Sequence, residues 1–579
     1  MEDDAAPMGM GATNTDDRVW AALGLLNGVA IEFKSSLDVQ NGGVLLALPA
    51  LLAVGLLKHT DKHFKLPCGY YQMDSLFLLL AFMALARLKS VEQLRYYPPG
   101  EWGKVLGLDR APEVRTLREK LKLLAKDGAP QLWSADLCKD WMAAAPDEAN
   151  ALYVDGHVRV YHGSKANLPR HYVSRQKLCL RATADYWVNA MDGKPFFFVT
   201  KDIDPGLVAV LEKDIVPRLL AEVPSQPTEE ELKQNPLLHR FTLIFDREGY
   251  SPALMRRLKE QRVACVTYHK HPEANWPEDE FSFQKVKLAN GEEVELRLAE
   301  RGTFLESGPV WVREVRKLGP SGSQTPVLAT QYVSDLHWVV ARMCARWSQE
   351  NFFRYMRQHY GLDRLLAYDV EAIPDTTKVV NPAHRDLEGQ VRRCTGLLNR
   401  KQAEFGATTM RAPIEPAVVE DYERRKAALQ LELEQLKQQL DDLKKKRKEV
   451  RRHILLSELP PEAKYNRLAA DSKHFIDTIK MVAYRAETAM AHALRENLQR
   501  EDDARALLVS IYKATVDLLP DEKNGTLTVR LHHLANHCED EAARFLCAEL
   551  TATETVFPGT KLRLVYELVS TQNPTAQEV

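Results

Sequence analysis

The chain of 579 residues has no CxxC pair and no excess of charge of either sign. Its eight cysteines (68, 138, 179, 265, 344, 394, 538 and 547) are scattered, which excludes a disulfide framework and suits a reducing, cytoplasmic setting. A net charge of -2 excludes binding to nucleic acid through bulk charge and leaves local basic surfaces open. The N-terminus "MEDDAAPMGM" is acidic and lacks the apolar core of a secretory signal. The longest apolar run, "GGVLLALPALLAVGLL" (42–57), is about a turn short of a membrane span. It contains Pro49 and runs into Lys58, His59, Asp61 and Lys62, so a buried helix paired with "DSLFLLLAFMALARL" (74–88) is expected, and no membrane. The two glycines of "GPSGSQTP" (319–326) make a linker and no phosphate loop. No Ser-His-Asp or Cys-His arrangement can be argued, and "LHHLANHC" (531–538) lacks the second ligand pair of a zinc site.

What is present divides the chain. Residues 1–16 are polar and read as a disordered tail, and 17–148 as a helical domain. Within it "PGEWGKVLGL" (99–108), the turn "DRAP" and "EVRTLREKLKLLA" (113–125) suggest a helix-turn-helix. Leu117, Leu121 and Leu124 would face inward, leaving Arg115 and Arg118 outside for DNA.

From 149 to 277 the periodicity changes to that of strands. "NALYVDGHVRVYHG", "KLCLRATADYWVNA" and "KPFFFVTKD" alternate, and the last two meet at Asp192-Gly193, a tight-hairpin signal. A helix at 205–222, the strand "FTLIF", a helix at 252–262 and the strand "VACVTY" follow. Three antiparallel strands, helix, strand, helix, strand is the order of an α/β ribonuclease H-like core. A β-rich insertion (278–332) with a hairpin about Asn290-Gly291 comes next. A long helix from 334 to 360, capped by Ser334, completes the core (333–361).

Three carboxylates fall where chemistry would need them. Asp155 lies in the first strand, on the face shared with His157, Arg159 and Tyr161. Asp246 leaves the buried fourth strand, while Ser251-Pro252 already supplies the cap and first turn of the next helix. Glu350 lies on one helical stripe with Met343, Arg346, Phe353 and Arg357. An Arg–Glu pair in that order is worth only ~0.3–0.5 kcal/mol on a surface, so Arg346 and Arg357 are better explained as phosphate clamps. A dense carboxylate cluster repels itself unless hard divalent ions are present, and all-oxygen ligation suits Mg²⁺ or Mn²⁺.

The order "YVDGH", "LIFDREG", "RWSQENFFRYM", with a strand-rich insertion before the last, resembles the DDE transposases of bacterial insertion sequences. In particular it resembles the group with a Tyr-Arg-Glu-Lys signature; here Met343 stands at the Tyr position and Arg357 at the Lys position. The resemblance implies a two-ion site on Asp155, Asp246 and Glu350 that cuts DNA and joins the ends to a target. It implies terminal inverted repeats and target DNA as partners, a homodimer on paired ends, and residence in the bacterial cytoplasm, on the nucleoid when bound. A decayed element that only binds or assembles on DNA, or a nuclease of the same fold without strand transfer, stays open.

Residues 362–412 read as an irregular linker, 413–500 as a helical coiled-coil region and 501–579 as a small mixed region. The stripe Lys426, Leu429, Leu433, Leu436, Leu440, Leu443, Arg447 has the spacing of a coiled-coil seam. The helix at 463–499, folding back after Pro460-Pro461, is its expected partner, ahead of a second subunit. "KKKRKEVRR" (444–452) reads as a solvated face.

Overall fold

The computed structural model describes residues 10–173, 176–201, 203–287, 293–332, 335–364, 370–409, 416–468, 470–495 and 501–569. It falls into two compact units. The first takes in residues up to 162, 170–369 and from 468 onward; the second is 163–169 with 370–467.

In the first unit the helical N-terminal part contains α1 (Thr15–Ala22), β1 (Ser36–Val39), α2 (Leu48–Val54), α3 (Met73–Leu85), α4 (Pro99–Val105), α5 (Val114–Leu124) and α6 (Ala129–Ala144). A mixed sheet follows: β2 (Ala151–Val160), β3 (Arg170–Val173), β4 (Leu178–Asn189), β5 (Pro195–Lys201), β6 (Thr242–Phe245), α7 (Pro252–Glu260) and β7 (Ala264–Tyr268). It continues through β8 (Ser282–Lys287), β9 (Glu293–Leu305), β10 (Val310–Leu318) and β11 (Gln324–Ala329), and is closed by α8 (Leu336–Ala345) and α9 (Trp347–Tyr355).

β5, β4 and β2 are antiparallel neighbours, and β2, β6 and β7 run parallel. All four residues of β6 are buried, as a parallel strand covered on both faces requires. The β-rich insertion, 278–332, joins the central sheet. β11 pairs antiparallel with β7, and β10, β9 and β8 follow, so these strands lengthen the same sheet. The turn at Asn290-Gly291 lies outside the described residues, although β8 and β9 pair on either side of it.

The stretch 205–222 is not one regular helix. A π-helical run, Leu211–Ile215, precedes Val216-Pro217, where proline removes a backbone donor. The helix expected from 334 to 360 also breaks. Arg346 separates α8 from α9, and a π-helical turn, Met356–Tyr360, ends it. Ser334 lies outside the described residues, and Asp335 precedes α8.

The N-terminal segment is neither a free-standing domain nor all-helical. Thr13 and Asn14, inside the expected disordered tail, donate backbone N–H groups to Asp109. β1 pairs antiparallel with a strand near the C-terminus, β14 (Val516–Asp521), which continues through β15 (Thr526–Leu531) to β16 (Arg563–Leu568). The helix α12 (Ala470–Arg495) is buried along most of its length and packs against α2, α3 and α6. It covers the apolar runs expected to pair with each other. Among the described residues no helix is long and apolar enough to cross a membrane.

The second unit holds a helical hairpin of α10 (Pro382–Ala407) and α11 (Pro416–Glu449), with β12 (Lys378–Val380) paired to β13 (His453–Leu455) at its base. Part of the expected linker is therefore α10, and α10 is the partner of the leucine seam. Val391, Cys394 and Leu398 of α10 meet Leu433 and Leu440. The cations that interrupt the seam are satisfied across it. Lys426 donates to the Phe405 carbonyl and lies 3.9 Å over its ring, while Arg447 donates to Glu388 at 2.7 Å. α12 cannot serve as that partner, because its own faces are already covered in the first unit.

Candidate active site

Asp155 sits in β2 beside its parallel neighbour β6, whose C-terminal exit carries Asp246. Asp155 lies on the face of the sheet from which Arg346 approaches. Gly156 turns the other way and lies against the Tyr186 ring, where a Cβ would stand 3.2 Å from it. Asp246 does have a structural role. Its Oδ1 accepts from the Arg247 N–H at 2.7 Å and caps a one-turn 3₁₀ segment, Arg247–Gly249. Ser251 caps α7 as its sequence predicts, accepting from the Leu254 N–H at 3.3 Å.

Arg346, at the break between α8 and α9, reaches both remaining partners. Its guanidinium is 3.6 Å from Asp155 Oδ2 and donates to Glu350 Oε1 at 2.6 Å. Burial, reinforced by Asp246 and Glu248, pushes the Asp155 carboxyl up to about 7 against the pull of Arg346. Burial opposes the Arg346 charge, yet Asp155, Asp246 and Glu350 raise its pKa above the ordinary value. One guanidinium thus feels the carboxylates of Asp155, Asp246 and Glu350.

Glu248 is a participant that sequence reasoning missed. Burial and the charges of Asp204 and Asp246 raise its carboxyl above the usual range. Asp204 in turn accepts from the Tyr186 hydroxyl and the Gly206 N–H. The only sequence signal for Glu248 is proximity, two residues beyond Asp246.

The second missed residue is Gln349. It is fully buried, and its Nε2 faces the Tyr153 carbonyl (3.4 Å), the Trp187 carbonyl (3.2 Å) and Asn189 Oδ1 (2.9 Å). Asn189 Nδ2 continues to the Gly193 carbonyl at 2.8 Å, and Ser348 Oγ donates to the Met191 carbonyl at 2.7 Å. Gly193 has φ +90°, and a Cβ there would meet the Ser348 carbonyl at 3.0 Å. The head of α9 is therefore bolted to β2, β4 and the Asp192-Gly193 turn immediately before Glu350. A polar residue at an apolar-periodic position, in line with Phe352 and Met356, was the available signal. Replacing Gln349 with Leu leaves buried carbonyls unpaired, a loss of about 1–3 kcal/mol by thermal unfolding. A change under about 0.5 kcal/mol, the scale of an ordinary surface substitution, would exclude Gln349 as a structural tie.

Other expectations fare differently. The stripe around Glu350 does not present one face: Met343 is buried beside Tyr153 and Val266, and Phe353 stacks on His157. Arg357 Nε donates to the Phe353 carbonyl at 3.3 Å, a contact within its own helical segment. Arg115 pairs with Glu119 at 3.2 Å, and Arg118 with Glu92. α5 buries Leu117, Leu121 and Leu124 as predicted, but it packs on residues 91–96 and α12, whereas α4 packs on β1. The two helices are therefore not packed as a helix-turn-helix.

Among the described residues, the only three-ligand group closing within 4.8 Å is Asp38, Asp517 and His532. Asp155, Asp246 and Glu350 do not close to that span, and Arg346 contacts the first and last of them. Their all-oxygen donor set, with more anionic charge than one guanidinium offsets, nonetheless fits a hard divalent cation. No curated protein matches the chain. A family described as "Transposase protein" matches residues 9–570, nearly the whole length. The chain belongs to this transposase family.

Proposed function

We propose that the protein is a DDE transposase with a ribonuclease H-like core, cleaving element ends and joining them to target DNA. The observation that carries this reading is the meeting of Asp155, from β2, and Asp246, from the exit of its parallel neighbour β6, with the Arg346–Glu350 pair of the closing helix. The order β5-β4-β2-β6-β7, antiparallel then parallel, supports the core assignment.

Asp155, Asp246 and Glu350 would hold Mg²⁺ or Mn²⁺, with Glu248 close enough to contribute charge. Two such ions, when bound, activate a water or a 3′-hydroxyl and stabilise the leaving oxygen of a phosphodiester. Arg346 would offset carboxylate charge before loading and grip a phosphate afterwards; Arg357 would hold the backbone beside it. Arg115 and Arg118, on the exposed face of α5, would contact the terminal repeats. Bringing two ends together would call for a homodimer on DNA.

Duplexes carrying the inverted repeats that bracket the gene, pre-cut to expose a 3′-hydroxyl, test the reading directly. Incubated with a target plasmid and Mg²⁺, they are expected to become covalently joined to it. Cleavage of uncut ends without joining would make the protein a nuclease. Binding without either reaction would make it a decayed element's assembly protein.

A further inference from the structure

The hairpin α10–α11 is electrically uneven. Arg447 donates to Glu388 at 2.7 Å, which sets the antiparallel register of the two helices at their basal end. Around that pair, residues 384–393 and 441–453 bring ten lysines and arginines against five aspartates and glutamates. Toward the tip, residues 396–407 and 416–440 carry six against six. Folding therefore gathers the basic run of α11 and the arginines of α10 at one end, a concentration the linear sequence only half displays.

A helix C-terminus is complemented by one or two cations, worth ~0.3–1 kcal/mol each. Arg447 and Lys444 are paired, with Glu388 and Asp441, and Arg451 with Glu458. Lys445, Lys446, Lys448 and Arg452 are exposed, and no ion pair is found for them among the described residues. Lys445 and Lys448 are exposed three residues apart near the end of α11, and Arg452 follows just beyond its last residue, Glu449. The N-terminus of α10, capped by Asn381, adds positive potential at the same end. An excess of cations, four of them exposed and without an ion pair among the described residues, fits a polyanion.

We propose that the basal end of this hairpin is a sequence-independent contact for the phosphates of duplex DNA, a surface additional to the carboxylate site and to α5. The proposal rests on DNA being the partner of this transposase. It does not depend on which residues carry out the chemistry.

The test uses the full-length protein and a labelled 40-base-pair duplex of random sequence, titrated between about 50 and 200 mM salt. Lys445→Glu, Lys446→Glu and Lys448→Glu together are expected to weaken binding at least tenfold. The log–log salt slope should also fall by about three, near one per lost phosphate contact. Arg424→Glu with Arg425→Glu, at the tip, serves as the control and is expected to change neither. The Lys→Gln triple repeats the measurement without charge reversal, and circular dichroism confirms that the hairpin is intact. Wild-type affinity and slope in the triple variant would overturn the proposal. Equal losses in the tip variant would do so too, as would a loss confined to duplex RNA. A wild-type protein that binds no duplex at all would instead overturn the DNA reading on which it rests.

Discussion

Changing Asp155, Asp246 or Glu350 singly to Ala is expected to lower cleavage and strand transfer by more than about 100-fold, the upper end of what losing even an outer partner costs a metal site. Binding to DNA should persist, because none of the three is a cation. A variant that keeps more than a tenth of wild-type activity removes its residue from the site. The raised carboxyl of Asp155 adds a pH signature. A proton and a metal ion compete for it, so Mn²⁺ affinity should fall about tenfold per pH unit below 7. Stability without metal moves the other way. Between the unfolded value of 3.8 and about 7, the folded chain holds a proton that the unfolded chain has released. Stability therefore falls as pH rises through that window. Asp155→Asn should melt above wild type at pH 8 without metal, with the gap closing near pH 4. An equal or lower melting temperature at pH 8 would mean that Asp155 does not carry this electrostatic cost.

The largest loss of stability is expected at Glu487, a fully buried carboxylate in α12. It accepts from Arg87 at 2.8 Å, Tyr360 at 2.5 Å, Tyr355, and Arg505 at 3.3 Å. Arg87 follows α3, and both tyrosines lie at or beyond the end of α9, so this one carboxylate ties the N-terminal helices to the helix that carries Glu350. Glu487→Ala would leave two buried guanidiniums without their partner, a cost of about 3–5 kcal/mol. Burial opposes the charge of Glu487, yet Arg87 and Arg505 hold its carboxyl below the usual range. Its contribution is therefore present above the ordinary value of 4.5 and is lost as pH falls below it. Denaturant unfolding at pH 7 checks the magnitude, and a change under about 0.5 kcal/mol, the scale of an ordinary surface substitution, would exclude the network as a structural tie.

The strands of the central sheet were legible because their alternation and the Asp192-Gly193 turn are local signals. The buried faces of α5 and α11 were legible for the same reason: Leu117, Leu121 and Leu124, and Leu433 and Leu440, recur at helical spacing. Asp155, Asp246, Arg346 and Glu350 were singled out by local position alone, and the structure sets Arg346 beside Asp155 and Glu350. Gln349 and Glu248 escaped notice because a buried amide and a fourth carboxylate look ordinary until their neighbours are known.

Local pattern alone thus settles which faces are apolar, where most strands run and which carboxylates stand at strand exits. What covers those faces is decided in three dimensions. α12 arrives from residue 470 to bury α2 and α3, α10 takes the leucine seam, and β8–β11 of the insertion extend the central sheet. The packing of α8 and α9 likewise puts Arg346 between Asp155 and Glu350. The difference is one of range. Periodicity is set by bonded geometry within a few residues, whereas burial partners and counter-charges are chosen by contacts hundreds of residues apart, which no local pattern records.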